Sequence, residues 1–426
     1  MTDRNANRPG YKQTKVGWIP EEWEVKRFKD LAIVNPRKPR ELSDGIKVGF
    51  VPMANVSESG RLTEYDEVEC KNVNSGYTYF EDGDILIAKI TPSFENGKGC
   101  IADNLPNGIG FGSTEFHVLR PQKVNTEFLH FQTRYYKFRI KGGLNMTGTA
   151  GQKRVPTDYI KNYKIPTPPL VEQKKIAVIL NTWDRAIEQT QKLIDAKQRL
   201  KKGLMQQLLT GRMRFPGFGA PVEKAGELPE GWEEKTLGDM GTFSKGANIQ
   251  KSDLVDEGIP CIRYGEIYTV HDFILKEFKS YISSSTAMSS KRIYKGDILF
   301  AGSGETREEI GKCIAYVDEY EAYAGGDVII FRSNESNPYY LGYLLNHPLI
   351  IKQKSALGQG YSIFHIYPNM LKKLIIHLPP RNEQKMIVHV ISTLDNEILR
   401  LVKLTKFLNL QKLGLLQKLL SGEVRV

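Results

Sequence analysis

Apolar residues recur by threes and fours along two stretches of the chain. Ile176, Leu180, Trp183, Ile187, Thr190, Ile194, Leu204 and Leu208 follow that spacing in the first. In the second, Ile387, Ile391, Leu394, Ile398, Leu401, Thr405, Leu408, Leu415 and Leu419 do. A 3.5-residue repeat held this long predicts two long helices whose seams pair as in a coiled coil. Each stripe packing on its own domain is the plainer reading. The stretches are copies: 165–215 matches 376–426 without a gap, offset by 376 − 165 = 211 residues, with roughly 20 of 51 positions identical. Pro169 and Pro380 suit helix starts, and Glu172 and Glu383 put a carboxylate in each first turn, where the helix dipole favours it. Gly211 and Gly422 suit the left-handed residue that ends a helix. About 42 helical residues at ~1.5 Å each span roughly 60 Å, longer than a small domain needs for its own core.

Elsewhere the pattern is one of short alternating runs broken by Gly, Asn, Asp and Ser turns. Two such blocks appear, with one or two short helices near Phe128 to Tyr136 and Tyr339 to Leu345. The expected organisation is α+β. Residues 1–15 are a disordered lead-in, 16–166 a first sheet-rich domain, 167–212 a first spacer helix and 213–226 a linker. A second sheet-rich domain fills 227–378 and a second spacer helix 379–426. The linker is rich in Pro and Gly and reaches roughly 50 Å when fully extended. It more easily starts the second block near the end of the first helix, so the second helix is expected to run back antiparallel.

The blocks share anchors. Pro20-Glu21-Glu22-Trp23 matches Pro229-Glu230-Gly231-Trp232, Gly83-Asp84-Ile85-Leu86 matches Gly296-Asp297-Ile298-Leu299, and Cys100-Ile101-Ala102 matches Cys313-Ile314-Ala315. Between anchors they diverge: SFENGK (93–98) faces GETREEIGK (304–312), and GTAGQKR (148–154) faces LGQGYSI (357–363). One frame with different loops is what two related readers of different ligands show. Loop drift after duplication is the alternative.

Charge narrows the class. A net charge of +11 points first to an anionic partner, most often nucleic acid. The four cysteines form no C-x-x-C pair, which fits a reducing compartment and a cytoplasmic protein. The polar N-terminus carries no signal-peptide pattern, and no apolar run reaches membrane-spanning length. The seven histidines show no metal spacing. Asn337-Pro338-Tyr339-Tyr340 lacks the second proline of the N-P-P-Y type tetrapeptide of amino-group methyltransferases, and no Gly-rich cofactor loop precedes it. It reads as the start of a short helix. The chain reads as a binder that lends specificity to something else.

Two divergent domains, each followed by a long helix with a P-P-x-x-E-Q start and an L-L-(T/S)-G end, resemble the specificity (S) subunit of a Type I restriction–modification enzyme. The P-x-x-W opening and the G-D-I-L strand of each domain add to the resemblance. It implies a non-catalytic subunit whose two target-recognition domains each read one half of a bipartite site in double-stranded DNA. It implies that the helices set the half-site spacing and bind two methyltransferase (M) subunits, with motor-nuclease (R) subunits joining for restriction. S-adenosylmethionine is then expected in the M subunits, which methylate adenine, and no cofactor in this chain. A stand-alone sequence-specific DNA-binding regulator is the competing class; it needs no long spacer helices.

Candidate DNA contacts are loop residues between matched anchors. In the first domain they are Lys89, Thr91, Ser93, Asn96, Lys98, Gln152, Lys153 and Arg154. In the second they are Ser303, Glu305, Arg307, Lys312, Gln359, Tyr361, Ser362 and His365. Lysine and arginine suit phosphates and guanine, and Gln152 and Gln359 in comparable Gly-rich loops suit base edges. Glu172, Gln173, Glu383 and Gln384, near the helix starts, are candidates for M-subunit contact or for a purely structural role.

Overall fold

The computed structural model describes residues 6–40, 42–149 and 151–426. The two long helices form as expected, Leu170–Leu208 and Arg381–Ser421, each starting directly after its Pro-Pro pair. Every seam residue named above is buried or half-buried. Apolar residues off the seam, such as Val178, Leu200, Phe407 and Leu410, are exposed. Gly211 and Gly422 end the helices at φ +71° and +72°. Neither tolerates a Cβ for a second reason: it would meet Pro229 at 2.3 Å or Pro20 at 2.5 Å.

The chain divides into two compact units, one of residues up to Gln191 with Lys403–Val426 and one of Lys192–Val402. The boundary differs from the expected one. Each unit takes in half of each long helix, because the helix halves are buried against its sheets. In the first unit Ile176 and Leu180 share a core with Trp23, Phe28, Leu416 and Leu419. In the second, Leu208, Ile387 and Ile391 share one with Trp232, Phe300 and Phe331.

Within each unit the helix halves run antiparallel. In the first, Glu172 faces Arg425 and Asp184 faces Lys412. In the second, Lys197 faces Glu397, Lys201 faces Asp395 and Arg214 faces Glu383. The two ends are latched alike. Trp23 Nε1 donates to Glu172 at 3.0 Å, and Arg425 adds a two-point bond at 2.7 and 3.0 Å. Trp232 Nε1 donates to Glu383 at 2.9 Å, and Arg214 adds a two-point bond at 3.0 and 2.8 Å.

The sheets repeat as well. The first unit orders Ala32–Val34, Phe116–Pro121, Ile85–Ala88 and Gly99–Ile101 in one antiparallel sheet; the second orders Thr242–Lys245, Val328–Arg332, Ile298–Ala301 and Cys313–Ala315. Each unit has a second sheet with one parallel pair, Lys47–Val51 on Ile109–Gly112 and Ile259–Ile262 on Ala322–Ala324. The G-D-I-L motif has a structural reason. Buried Asp84 receives Arg120 at 2.9 and 2.8 Å, and buried Asp297 receives Arg332 at 2.7 and 2.7 Å.

Three expectations change. The disordered lead-in fails for Tyr11–Thr14, which pairs with Gly17–Pro20, while Tyr11 Oη donates to Gly422 O at 2.5 Å; residues 1–5 lie outside the described residues. The matched cysteines are not equivalent. Cys100 lies opposite Leu86 but Cys313 opposite Phe300, the strand neighbour of Leu299, so one residue of slip turns them to opposite faces. Both are buried, and burial pushes their thiols up to about 12 and about 11. Helices Tyr136–Leu144 and Pro348–Leu357 extend beyond the ranges expected for short helices, because their apolar residues do not gather on one face. The Asn337 tetrapeptide does start a helix: its side chain accepts from Tyr339 N at 3.0 Å, capping Pro338–Leu344.

Candidate nucleic-acid interface

Two loops far apart in the first block meet at the end of its central strand. Thr91 N donates to Lys153 O at 3.0 Å, and Val155 N to Lys89 O at 2.9 Å. Arg154 bridges Ile90 on one side and Thr147 on the other. Its guanidinium lies on Glu115, with Nε at 3.0 and 3.1 Å and Nη2 at 2.7 Å from the carboxylate, while Nη1 donates to Gln152 O at 3.0 Å. The hydrogen bond from Arg154 holds the Glu115 carboxyl below its ordinary range.

The structure thus brings together Lys89, Thr91, Ser93, Asn96, Lys98, Gln152, Lys153 and Arg154. Asn96, Gln152 and Lys153 are exposed, the other five half-buried. Some have internal partners: Thr91 Oγ1 donates to Glu95 at 2.5 Å, Asn96 to Glu58 at 3.0 Å and Lys98 Nζ to Met53 O at 3.2 Å.

The second unit makes the same junction with other residues. Ser303–Gly304 pairs with Phe364–His365, placing Ser303 opposite His365. Ser303 Oγ donates to Asp327 at 3.3 Å and lies 3.0 Å from His365 Nδ1. Gln359 and His365 exchange backbone bonds at 3.0 and 2.7 Å, and the loop between them exposes Tyr361 and Ser362. The His365 ring stacks on Tyr367 at 6.4 Å between centroids, and Lys245 Nζ sits 5.4 Å from the Tyr367 centroid. Glu305 and Arg307 are exposed, with Arg307 over the Phe364 ring. A cleft of about 600 Å³, lined by Gln250, Arg263, Tyr264, Gly325 and Gly326 among others, opens beside Asp327.

The junctions correspond bond for bond. Lys89 N donates to Glu115 O at 2.9 Å where Gly302 N donates to Asp327 O at 2.8 Å, and Val155 N to Lys89 O where Ile366 N donates to Gly302 O. Glu115 is therefore the counterpart of Asp327, and Arg154 of His365. Sequence reasoning missed Glu115, Asp327, Lys245 and Tyr367, because none lies in a loop that diverges between recognisable anchors.

Several candidates are corrected. Ser303 is buried in its strand pair, and Lys312 donates to His271 O at 2.6 Å and Tyr268 O at 3.3 Å while burial pulls its pKa down. The polar atoms of both are engaged within the unit. Glu172, Gln173, Glu383 and Gln384 are buried, so they are not docking residues. The glutamates receive the Trp and Arg latches. Gln173 accepts from Asn125 N at 2.9 Å, and Gln384 from Ser336 Oγ and Asn337 N, both at 2.9 Å. Among the described residues no group of three or more His, Cys, Asp or Glu is placed to hold a metal ion, and no helix is long and apolar enough to cross a membrane.

Comparison with known proteins gives the same frame. The family model described as "Type I restriction modification DNA specificity domain" matches residues 20–198 and again 229–407. The chain is 39% identical over 194 residues to the Type I restriction enzyme EcoAI specificity subunit of Escherichia coli, covering 44% of this chain and 33% of that one. With the EcoEI specificity subunit of the same organism the match again spans only 35% of the relative. It is 27% identical over 434 residues to the putative type I restriction enzyme MjaX specificity subunit of Methanocaldococcus jannaschii, covering 98% of this chain and 97% of that one. The fold is shared with a chain solved in work on assembly and conformational transition of the type I restriction–modification system, at TM-score 0.59 and 20% identity over 95% of this chain and 99% of that one. It is shared too with the type I S subunit from M. genitalium, at TM-score 0.56 and 15% identity over 93% of this chain and 96% of that one. Since the family model takes in both repeats and most of the residues, the chain belongs to the Type I restriction–modification DNA specificity family.

Proposed function

We propose that this chain is the non-catalytic sequence-recognition subunit of a cytoplasmic Type I restriction–modification complex. Each unit reads one half of an asymmetric bipartite site in double-stranded DNA. One observation carries the reading: a repeated, buried frame presents two unlike loop clusters at equivalent places. The surplus of 60 Lys and Arg over 49 Asp and Glu suits phosphate contacts, which position a reader without specifying sequence.

The long helices set the distance between half-sites and dock two M subunits, which bind S-adenosylmethionine and methylate adenine; R subunits join for restriction. Apolar side chains left off the seam support such docking. Val171, Val178, Phe407, Leu410 and Leu413 are exposed on the helix halves of the first unit, and Leu193, Leu200, Leu399 and Val402 on those of the second.

The test is co-purification with the methyltransferase encoded beside this chain, then DNA methylation by the mixture and by each component alone. Methylation of one bipartite sequence by the mixture only is the expected result. Tight site-specific DNA binding by this chain with no partner retained would replace the reading with that of a free-standing regulator.

A further inference from the structure

We infer that Arg154 is a specificity-determining residue that reads a guanine in one half-site, and that Glu115 is its positioning residue. The inference rests on the DNA-recognition reading above and names the chemistry of its first unit.

Four observations converge. The Arg154 backbone is paired on both sides, to Ile90 and to Thr147, so its position is fixed although it lies at a loop end. The carboxylate of Glu115 accepts from Nε and Nη2 and thereby fixes the plane of the guanidinium. Gln152 O takes one N–H of Nη1, so each terminal nitrogen keeps one uncommitted N–H. The side chain is 42% exposed, and the neighbouring Gln152 and Lys153 face solvent. A planar pair of donors, held rigid and wet, matches the O6 and N7 acceptors that guanine shows in the major groove. Preorganisation by the carboxylate lowers the ordering cost of a long side chain on binding.

At the equivalent place in the second unit stands His365, whose Nδ1 faces Ser303 and which has no fork. At this position of the frame, arginine is therefore present in the first unit and not in the second. A purely structural Arg154–Glu115 pair would lower stability and leave base preference alone. A reading pair changes the preference at one base position.

The complex of this chain with its methyltransferase is assayed on duplexes carrying each base in turn at every position of both half-sites. The variants are Arg154→Lys, Arg154→Ala and Glu115→Gln, each purified as the assembled complex. Arg154→Lys keeps the charge and can still pair with Glu115, so it guards against misfolding. The expected result is a guanine preference lowered roughly 5- to 150-fold at a single position of one half-site by Arg154→Ala, and lowered less at that same position by Arg154→Lys, whose ammonium still reaches guanine without the planar fork. Glu115→Gln gives a smaller fall at that same position, and the other half-site keeps its preferences. Assembled Arg154→Lys and Arg154→Ala complexes with unchanged preference at every position would overturn the assignment. A wild-type complex that methylates no bipartite sequence would remove the DNA-recognition reading itself, and this inference with it.

Discussion

Asp84 with Arg120 in the first unit and Asp297 with Arg332 in the second hold the same place beneath equivalent strands. Trp23, Glu172 and Arg425 repeat as Trp232, Glu383 and Arg214. At the strand ends the likeness stops. The first unit has an arginine on a carboxylate; the second has a histidine, a serine and a carboxylate in the same backbone frame. The shared arginines are each held by a two-point bond to a buried carboxylate. Of the unshared residues, Ser303 is buried, whereas Arg154 keeps N–H groups that no internal partner takes. A duplicated chain built this way can vary one loop cluster without disturbing what holds either unit together.

The comparison breaks first at the latches. Glu383 and Arg214 are 1% and 2% exposed in their side chains, whereas Arg425 is 40% exposed. Removing one partner of a fully buried pair strands the other charge, at about 3–5 kcal/mol. Glu383→Ala should therefore destabilise the second unit by that much. Glu172→Ala should destabilise the first by about 1–3 kcal/mol, since water can reach Arg425. Urea unfolding followed for each unit separately checks both, and equal losses would deny that burial sets the difference.

Asp84→Asn and Asp297→Asn sharpen the likeness. Each removes the charge from a two-point bond to arginine, and each should cost about 1–3 kcal/mol. A loss in one unit and none in the other would mean that the G-D-I-L motif does different work in the two copies.

Lys412 gives a pH test within the first unit. Burial, then the nearby Arg134, depresses its pKa to about 8, with Asp184 opposing. Between that value and the ordinary lysine range the unfolded chain binds more protons than the folded one, so stability rises with pH. From pH 7 to pH 9 the wild type should gain about 1 kcal/mol relative to Lys412→Met, measured by calorimetry at both values. A difference that does not move with pH would mean that Lys412 is not desolvated.

The smallest effect falls on the exposed loop residues of the second unit. Tyr361→Ala and Arg307→Ala remove exposed side chains and should shift stability by less than about 0.5 kcal/mol.

The helices and their seams were legible because a heptad pattern states which residues face inward, and none of the named seam positions is exposed. The two loop clusters were legible because they diverge between anchors that stay fixed. Their meeting at one strand end was not, because Lys89 and Val155, and Thr91 and Lys153, are joined only by backbone bonds made after folding. Glu172 and Glu383 looked like surface helix-start residues, since a local reading cannot see an arginine 253 or 169 positions away. A signal did exist: Arg214 and Arg425 themselves recur at the 211-residue offset. The cysteines misled because identity in sequence outweighed register, and in a sheet one residue of slip reverses the face.

The most direct test of the account maps methylated adenines made by the complex containing this chain, before and after substituting Gln359, Tyr361 and Ser362 together by alanine. The account predicts a bipartite motif for the wild type, and a variant motif altered in one half with the other half and the spacing retained. A change in both halves, or an unaltered motif from a fully assembled complex, would contradict the claim that each unit reads its own half-site.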